Sequence, residues 1–277
     1  MAREWIWVVA ILMAGGMGTF PSNAGERMFT YVYESDTLPE GGLEFEQWVT
    51  YRNAKAQGNH TRWDMRDEIE YGITSDLQTS LYVNYTQIFQ EGVEDFDENG
   101  SIDSADTNNE WQFKGVSSEW IHNILSPYDD PIGVAVYLEG TVSDSEGELE
   151  EKLLLSKNIG ENWVLAFNAA VEQEWNLKHH GNDMEGKFEM DAGVAYKIIP
   201  QFSIGAEAKN QRVYPENLAF EEHSVWFVGP NLHYGNGQWW ITATLLPQIA
   251  GHPDQGNGLN YDDNERIEAR LIAGINF

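Results

Sequence analysis

Beyond residue 42 the chain alternates apolar and polar positions with period two, segment after segment. Between Thr61 and Tyr71, Trp63, Met65, Ile69 and Tyr71 fall on one face and Arg62, Asp64, Arg66, Glu68 and Glu70 on the other. That is the spacing of a pleated strand, whose side chains point to opposite faces in turn, and not of a helix. Leu77, Leu81, Val83, Tyr85 and Phe89 share a face in the next segment, as do Phe202, Ile204, Ala206 and Ala208 further on. The pattern predicts strands over 43–51, 61–71, 77–89, 111–124, 132–142, 149–157, 163–175, 188–198, 202–211, 224–234, 239–249 and 267–277.

The connections are of two kinds. Those near residues 74, 128, 160, 200 and 236 are short; those near 56, 99, 145, 180, 216 and 257 are longer and more polar. Pro200 sits in a short turn, where its missing N–H breaks no ladder. A soluble β-sandwich, the competing fold, has no physical reason to gather its long loops at one end. Twelve such segments predict an all-β protein, a transmembrane antiparallel up-and-down β-barrel spanning 43–277, with short periplasmic turns and longer extracellular loops. Trp163 and Trp175 share a face and lie ~40 Å apart along their strand. At a tilt of ~40° that is ~30 Å of height, close to the separation of aromatic girdles in such barrels.

The two ends extend this picture. Arg3, an apolar run from Trp5 to about Met17, and the small residues Ser22 and Ala24 form a secretory signal peptide over 1–24, with cleavage after Ala24. Residues 25–42 are then expected as a periplasmic segment ahead of the barrel. At the other end Ile267, Ala269, Leu271, Ala273, Ile275 and Phe277 alternate with Glu268, Arg270, Ile272, Gly274 and Asn276. This resembles the C-terminal strand of Gram-negative outer-membrane β-barrels, and the chain as a whole resembles the porin-like members of that class. The resemblance implies residence in the bacterial outer membrane against lipid and lipopolysaccharide. It also implies that Phe277 is read by the barrel-assembly machinery.

Acidic residues outnumber basic ones 45 to 16, for a net charge of -29. That disfavours nucleic acid as a partner and favours cations. The absence of cysteine excludes disulfides, thiolate metal sites and a cysteine nucleophile. With the apolar face given to lipid, the inward set holds Glu44, Glu46, Arg62, Asp64, Arg66, Glu68 and Glu70 on the first two strands, Glu207 and Lys209 later, and Glu268 with Arg270 on the last. Burying such ions dry and unpaired would cost several kcal/mol each. The lumen is therefore water-filled or crossed by salt bridges. Two functions follow: passive passage of small polar solutes with a weak preference for cations, or a closed structural or surface-interaction barrel without transport.

An enzyme is not predicted. Acyl transfer on the lipid-facing wall needs serine and histidine within hydrogen-bond reach. His223 and Ser224 are adjacent and point to opposite faces, while Ser118 and His122 lie ~13 Å apart along one strand. The pair His179 and His180 beside Asp183 reads as a solvated polar loop.

The stretch DFDENGSIDSAD is different. Asp95, Asp97, Asn99, Ser101, Asp103 and Asp106 occupy the ligand positions of an EF-hand-type calcium loop, with Gly100 at the sharp turn and Ile102 at the apolar eighth position. The last ligand is Asp instead of Glu, which resembles the loops of dockerins and other extracellular repeats. With no flanking helices, the ion itself must order the loop, so the expected Ca2+ affinity is weak, ~10⁻⁴ to 10⁻³ M.

Overall fold

The computed structural model describes residues 25–56, 58–96, 102–178, 184–215, 220–254 and 258–277. Among them, twelve antiparallel strands close into one barrel. They are β1 (Leu43–Asn53), β2 (Asn59–Gly72), β3 (Leu77–Phe96), β4 (Ile102–Leu125), β5 (Gly133–Val142), β6 (Glu146–Ile159), β7 (Trp163–Asn176), β8 (Met184–Ile199), β9 (Phe202–Tyr214), β10 (His223–Gly235), β11 (Trp239–His252) and β12 (Ile267–Asn276). Each strand pairs with its neighbours in sequence, and β12 returns to β1 with Glu44 opposite Asn276 and Asn53 opposite Ile267. Closure removes every free sheet edge, the condition for placing backbone in hydrocarbon. Both β1 and β12 have their outer termini at the end that also carries connections 73–76, 126–132, 160–162, 200–201 and 236–238, here the turn end.

The strands agree with the predicted ones in number and order, and most are longer at the opposite, loop end. β3 and β4 run on to Phe96 and Ile102, so most of the acidic stretch expected as a loop is a protruding hairpin, with Asp95 opposite Ser104 and Val93 opposite Asp106. Early pairing of β6 leaves 143–145 as a tight turn, closed by Ser143 N–H donating to the Glu146 carbonyl at 2.9 Å. The contrast between long and short connections is thus weaker than the sequence suggests. Backbone that the polarity pattern marks as loop pairs with its hairpin partner once the strands protrude beyond the apolar belt.

The outer wall is apolar. Ile69, Leu81, Phe113, Val136, Leu153 and Val171 are among the large side chains left exposed at mid-strand, an arrangement stable against lipid and not against water. Aromatic pairs mark its two rims. Trp163 meets Tyr196 edge to face and Tyr234 lies tilted against Trp239 toward the turn end; Tyr51 meets Trp63 and Tyr85 meets Trp111 toward the loop end. Amphipathic rings favour such boundaries.

The inner wall holds a finding the sequence reading did not contain. Residues expected as a periplasmic segment enter the barrel at the turn end: Phe29, Thr30, Val32 and Ser35 are fully buried, and Met28, Tyr31, Tyr33 and Leu38 nearly so. Tyr33 packs with Trp48, Tyr137, Leu154 and Trp240; Phe29 and Val32 with Val164, Ala166 and Ala195; Tyr31 with Val225, Phe227 and Leu246. At roughly 1.5–3 kcal/mol for each large apolar side chain withdrawn from water, this burial makes the segment part of the core.

Candidate functional site: the lumen and its N-terminal segment

The segment is held by side chains of the wall that imitate a strand partner. Glu207 on β9 accepts the backbone N–H groups of Thr30, Tyr31 and Val32 at 2.9, 2.7 and 3.1 Å. Asn168 on β7 accepts from Tyr33 N–H at 2.7 Å and donates to the Tyr33 carbonyl at 2.9 Å. The hydroxyls of Ser35 and Ser156 lie 2.6 Å apart, and Gln78 accepts from Leu38 N–H at 2.8 Å. These pairings satisfy backbone groups that would otherwise be buried without partners. The wall is also cut to fit, since a Cβ at Gly193 would stand 2.8 Å from the Phe29 ring.

Arg27 brings a cation into this core. Its guanidinium lies 3.6 Å over the Tyr33 ring and 4.5 Å over Trp48, with Nη1 3.7 Å from Glu46 Oε2. Glu26 accepts from the Gly237 amide at 2.6 Å, tying the start of the segment to a turn that needs a glycine at φ 85°.

The segment divides the lumen. Toward the loop end a cavity of about 550 Å³ runs from Tyr31 and Tyr33 to Lys55, Glu185 and Asp263. Toward the turn end only about 80 Å³ is left beside Arg27, Glu34 and Tyr128, room for a few waters at most.

The larger cavity is electrically two-sided. Its β9, β12, β1 and β2 side carries Arg52, Arg62, Arg66, Lys209 and Arg270, joined by Lys55, against Asp64, Asp263 and Glu265. Its β4–β8 side carries Glu139, Glu148, Glu150, Glu172, Glu185 and Glu189 against Lys114, Lys152 and Lys187. Nine of the chain's 16 basic residues therefore line one cavity, matched there by nine acids. The pairs within each wall are close: Arg52 Nε to Asp64 at 2.8 Å, Lys152 to Glu150 at 2.9 Å and Lys187 to Glu172 at 2.7 Å. At the rim, burial pushes the Glu265 carboxyl up, but His60, Arg52 and Lys55 outweigh it and hold it down at about 2.

Ladder register adds an acidic row. Glu44 is opposite Glu70, Glu70 opposite Ser80, Ser80 opposite Glu119, Glu119 opposite Glu139, Glu139 opposite Glu150, Glu150 opposite Glu172 and Glu172 opposite Lys187. Because barrel strands tilt, the row climbs from the second residue of β1 at the turn end to the fourth of β8 at the loop end.

A model of a family of unknown function, DUF6662, matches residues 21–277. The chain belongs to that family. No protein of curated function matches the sequence. Among solved structures, this DUF6662 chain resembles the COG4313 outer membrane channel from Pseudomonas putida F1 at a TM-score of 0.61 and 10% identity, covering 88% of this chain and 98% of that one. It resembles the NanC porin at 0.51 and 13%, covering 84% and 98%. The β domain of the Bordetella autotransporter BrkA gives 0.54 and 9%, covering 86% and 100%. These likenesses are of fold: this is a closed twelve-stranded barrel of the outer-membrane type.

The predicted lumen residues of the DUF6662 chain divide into two groups. Arg62, Asp64, Arg66, Lys209 and Arg270 line the large cavity. Glu44, Glu46, Glu68, Glu70, Glu207 and Glu268 are buried instead. Glu207 binds the N-terminal segment, and Glu268 pairs with Arg52 and with Lys209 at 3.1 Å. The reading missed Arg52, Glu119, Glu139, Glu150, Lys152 and Glu172, although each sits on the polar side of its strand. Of the calcium-type positions, Asp97, Asn99 and Ser101 lie outside the described residues, and for Asp95, Asp103 and Asp106 only the strand backbone is described.

Proposed function

We propose that the protein is an outer-membrane channel for small polar solutes, entered from the loop end and narrowed at the turn end by residues 26–38. The observation that carries this reading is the 550 Å³ charged cavity ending on that segment. Likeness to a channel and a porin supports it, and under this topology the loop end faces outward and the segment faces the periplasm. The cation preference expected from net charge finds no support in the cavity, whose lining balances nine acids with nine bases. The excess acid of the chain lies elsewhere. A basic wall facing an acidic wall sets a field across the path, which favours solutes carrying separated opposite charges over uncharged ones of equal size.

Conductance in planar bilayers, with reversal potentials under a salt gradient, tests this. The reading expects small, weakly selective conductance that grows when the segment is released. Absence of conductance both in the native protein and after release would leave the barrel closed. The calcium reading of Asp95, Asp97, Asn99, Ser101, Asp103 and Asp106 is carried as a separate proposal, tested by calorimetric Ca2+ titration of Asp97→Ala against the parent chain.

A further inference from the structure

Across the β1–β2 ladder Glu46 stands opposite Glu68 and Glu44 opposite Glu70. All four are at most 4% exposed. Like charges directly opposite one another in a ladder repel, and withdrawal from water makes each ion more costly still. Some of this charge is answered. Trp48 Nε1 donates to Glu46 at 2.6 Å, Trp240 Nε1 donates to Glu44, and Gln78 donates to Glu70 at 2.8 Å. Glu68 receives nothing: neither oxygen has a hydrogen-bond partner, and Arg66 Nη1 stands off at 3.8 Å.

The cations in reach are too few. With Glu119 facing the same space, Glu44, Glu46, Glu68, Glu70 and Glu119 make five carboxylates, against the two guanidiniums of Arg27 and Arg66. Ionised, the group carries three uncompensated negative charges. One carboxylate oxygen from each of Glu46, Glu68 and Glu70 lies within 4.8 Å of the others. Oxygens this close can be bridged by a single hard cation, at ~2.0–2.1 Å from each donor for magnesium or ~2.3–2.6 Å for calcium. An independent group points the same way. Ser80, between Glu70 and Glu119 in the ladder and 1% exposed, holds a buried hydroxyl with no hydrogen-bond partner.

We infer that Glu46, Glu68 and Glu70 form a buried site for a hard divalent cation. All-oxygen carboxylate donors suit Ca2+, Mg2+ or Mn2+ over softer metals. The ion would replace mutual repulsion by shared attraction and pin β1 to β2 where the N-terminal segment packs against them. This site is distinct from the stretch 95–106 and does not depend on whether the lumen conducts.

The experiment uses the full mature chain, folded in detergent and stripped with chelator. Tb3+ is the probe, excited through tryptophan, because the indoles of Trp48 and Trp240 already touch Glu46 and Glu44; Ca2+ and Mn2+ compete. In the Asp97→Ala background, which removes any contribution of 95–106, the expected result is a saturable site with tryptophan-sensitised emission, weakened roughly 10-fold or more when Glu68→Gln is added. Binding that survives Glu68→Gln unchanged, or no binding in the Asp97→Ala chain, overturns the site and leaves protons to neutralise the cluster. If Glu68→Gln does not fold, Mn2+-soaked crystals of the parent chain decide. An anomalous peak among the three carboxylates supports the site, and its absence overturns it.

Discussion

Glu207 on β9 accepts the Tyr31 backbone N–H at 2.7 Å, the shortest of three consecutive amide bonds that one carboxylate receives from the N-terminal segment. Thr244 and Asn231 also donate to Glu207 Oε1, so the carboxylate is held by the wall as well as by the segment. A hydrogen bond to a charged group contributes roughly 1.5–3 kcal/mol. Losing three at once should free residues 30–32 from the wall. Glu207→Ala is therefore expected to raise mean conductance and broaden its fluctuations while the barrel stays folded. Single-channel recording beside a heat-modifiability gel checks this; unchanged conductance in a folded variant would show that the carboxylate does not hold the segment.

The same segment can be locked. The chain has no cysteine, and the Ser35 and Ser156 hydroxyls are 2.6 Å apart, close enough for a disulfide of ~2.05 Å to form with little movement. When S35C and S156C are added to Glu207→Ala, oxidation should abolish the gain in conductance that Glu207→Ala produces, and reductant should restore it. Failure to cross-link under oxidant would place residue 35 away from the β6 wall.

The lipid face makes a quantitative demand. Leu153 lies near the middle of β6 and is 43% exposed on the outer wall. Leu153→Arg would set a cation in hydrocarbon, at ~2–4 kcal/mol near the midplane. Urea titration of folding into liposomes should show a loss of that size, and a loss below ~1 kcal/mol would mean the position sits at an interface.

Glu265 ties the loop before β12 to His60, 3.4 Å away. Its carboxyl titrates at about 2 in the folded chain, below the ~4.3 of an unfolded one. A depressed value means the stabilisation is fully present above ~4.3 and is lost as pH falls toward about 2. Carboxyl NMR should place the Glu265 midpoint near 2, and Glu265→Gln should reduce amide protection of residues 258–266 at neutral pH. A midpoint near the ordinary glutamate range would contradict the geometry at the rim.

Strand number and strand order were legible in the sequence, because a pleated strand between lipid and lumen writes its environment into alternate positions. The acids of β4–β7 were equally legible by face, but their assembly into one row was not. Which glutamate opposes which depends on register, and register follows from where each hairpin turns. The early start of β6 and the extension of β3 and β4 lengthen those hairpins beyond the strand ends that polarity alone suggests.

The stretch Arg27–Tyr33 shows the division most plainly. Its sequence, RMFTYVY, is apolar enough to be buried, but with twelve strands already closing the barrel nothing local says against what. By itself the sequence determined that there is a barrel, since that follows from period-two alternation. Only the tertiary structure decided that Phe29, Tyr31 and Tyr33 fill the turn end, that Glu207 binds a backbone instead of water, and that Glu46 and Glu68 meet. Those outcomes turn on the volume left inside the closed wall and on partners far apart in the chain, which no local pattern encodes.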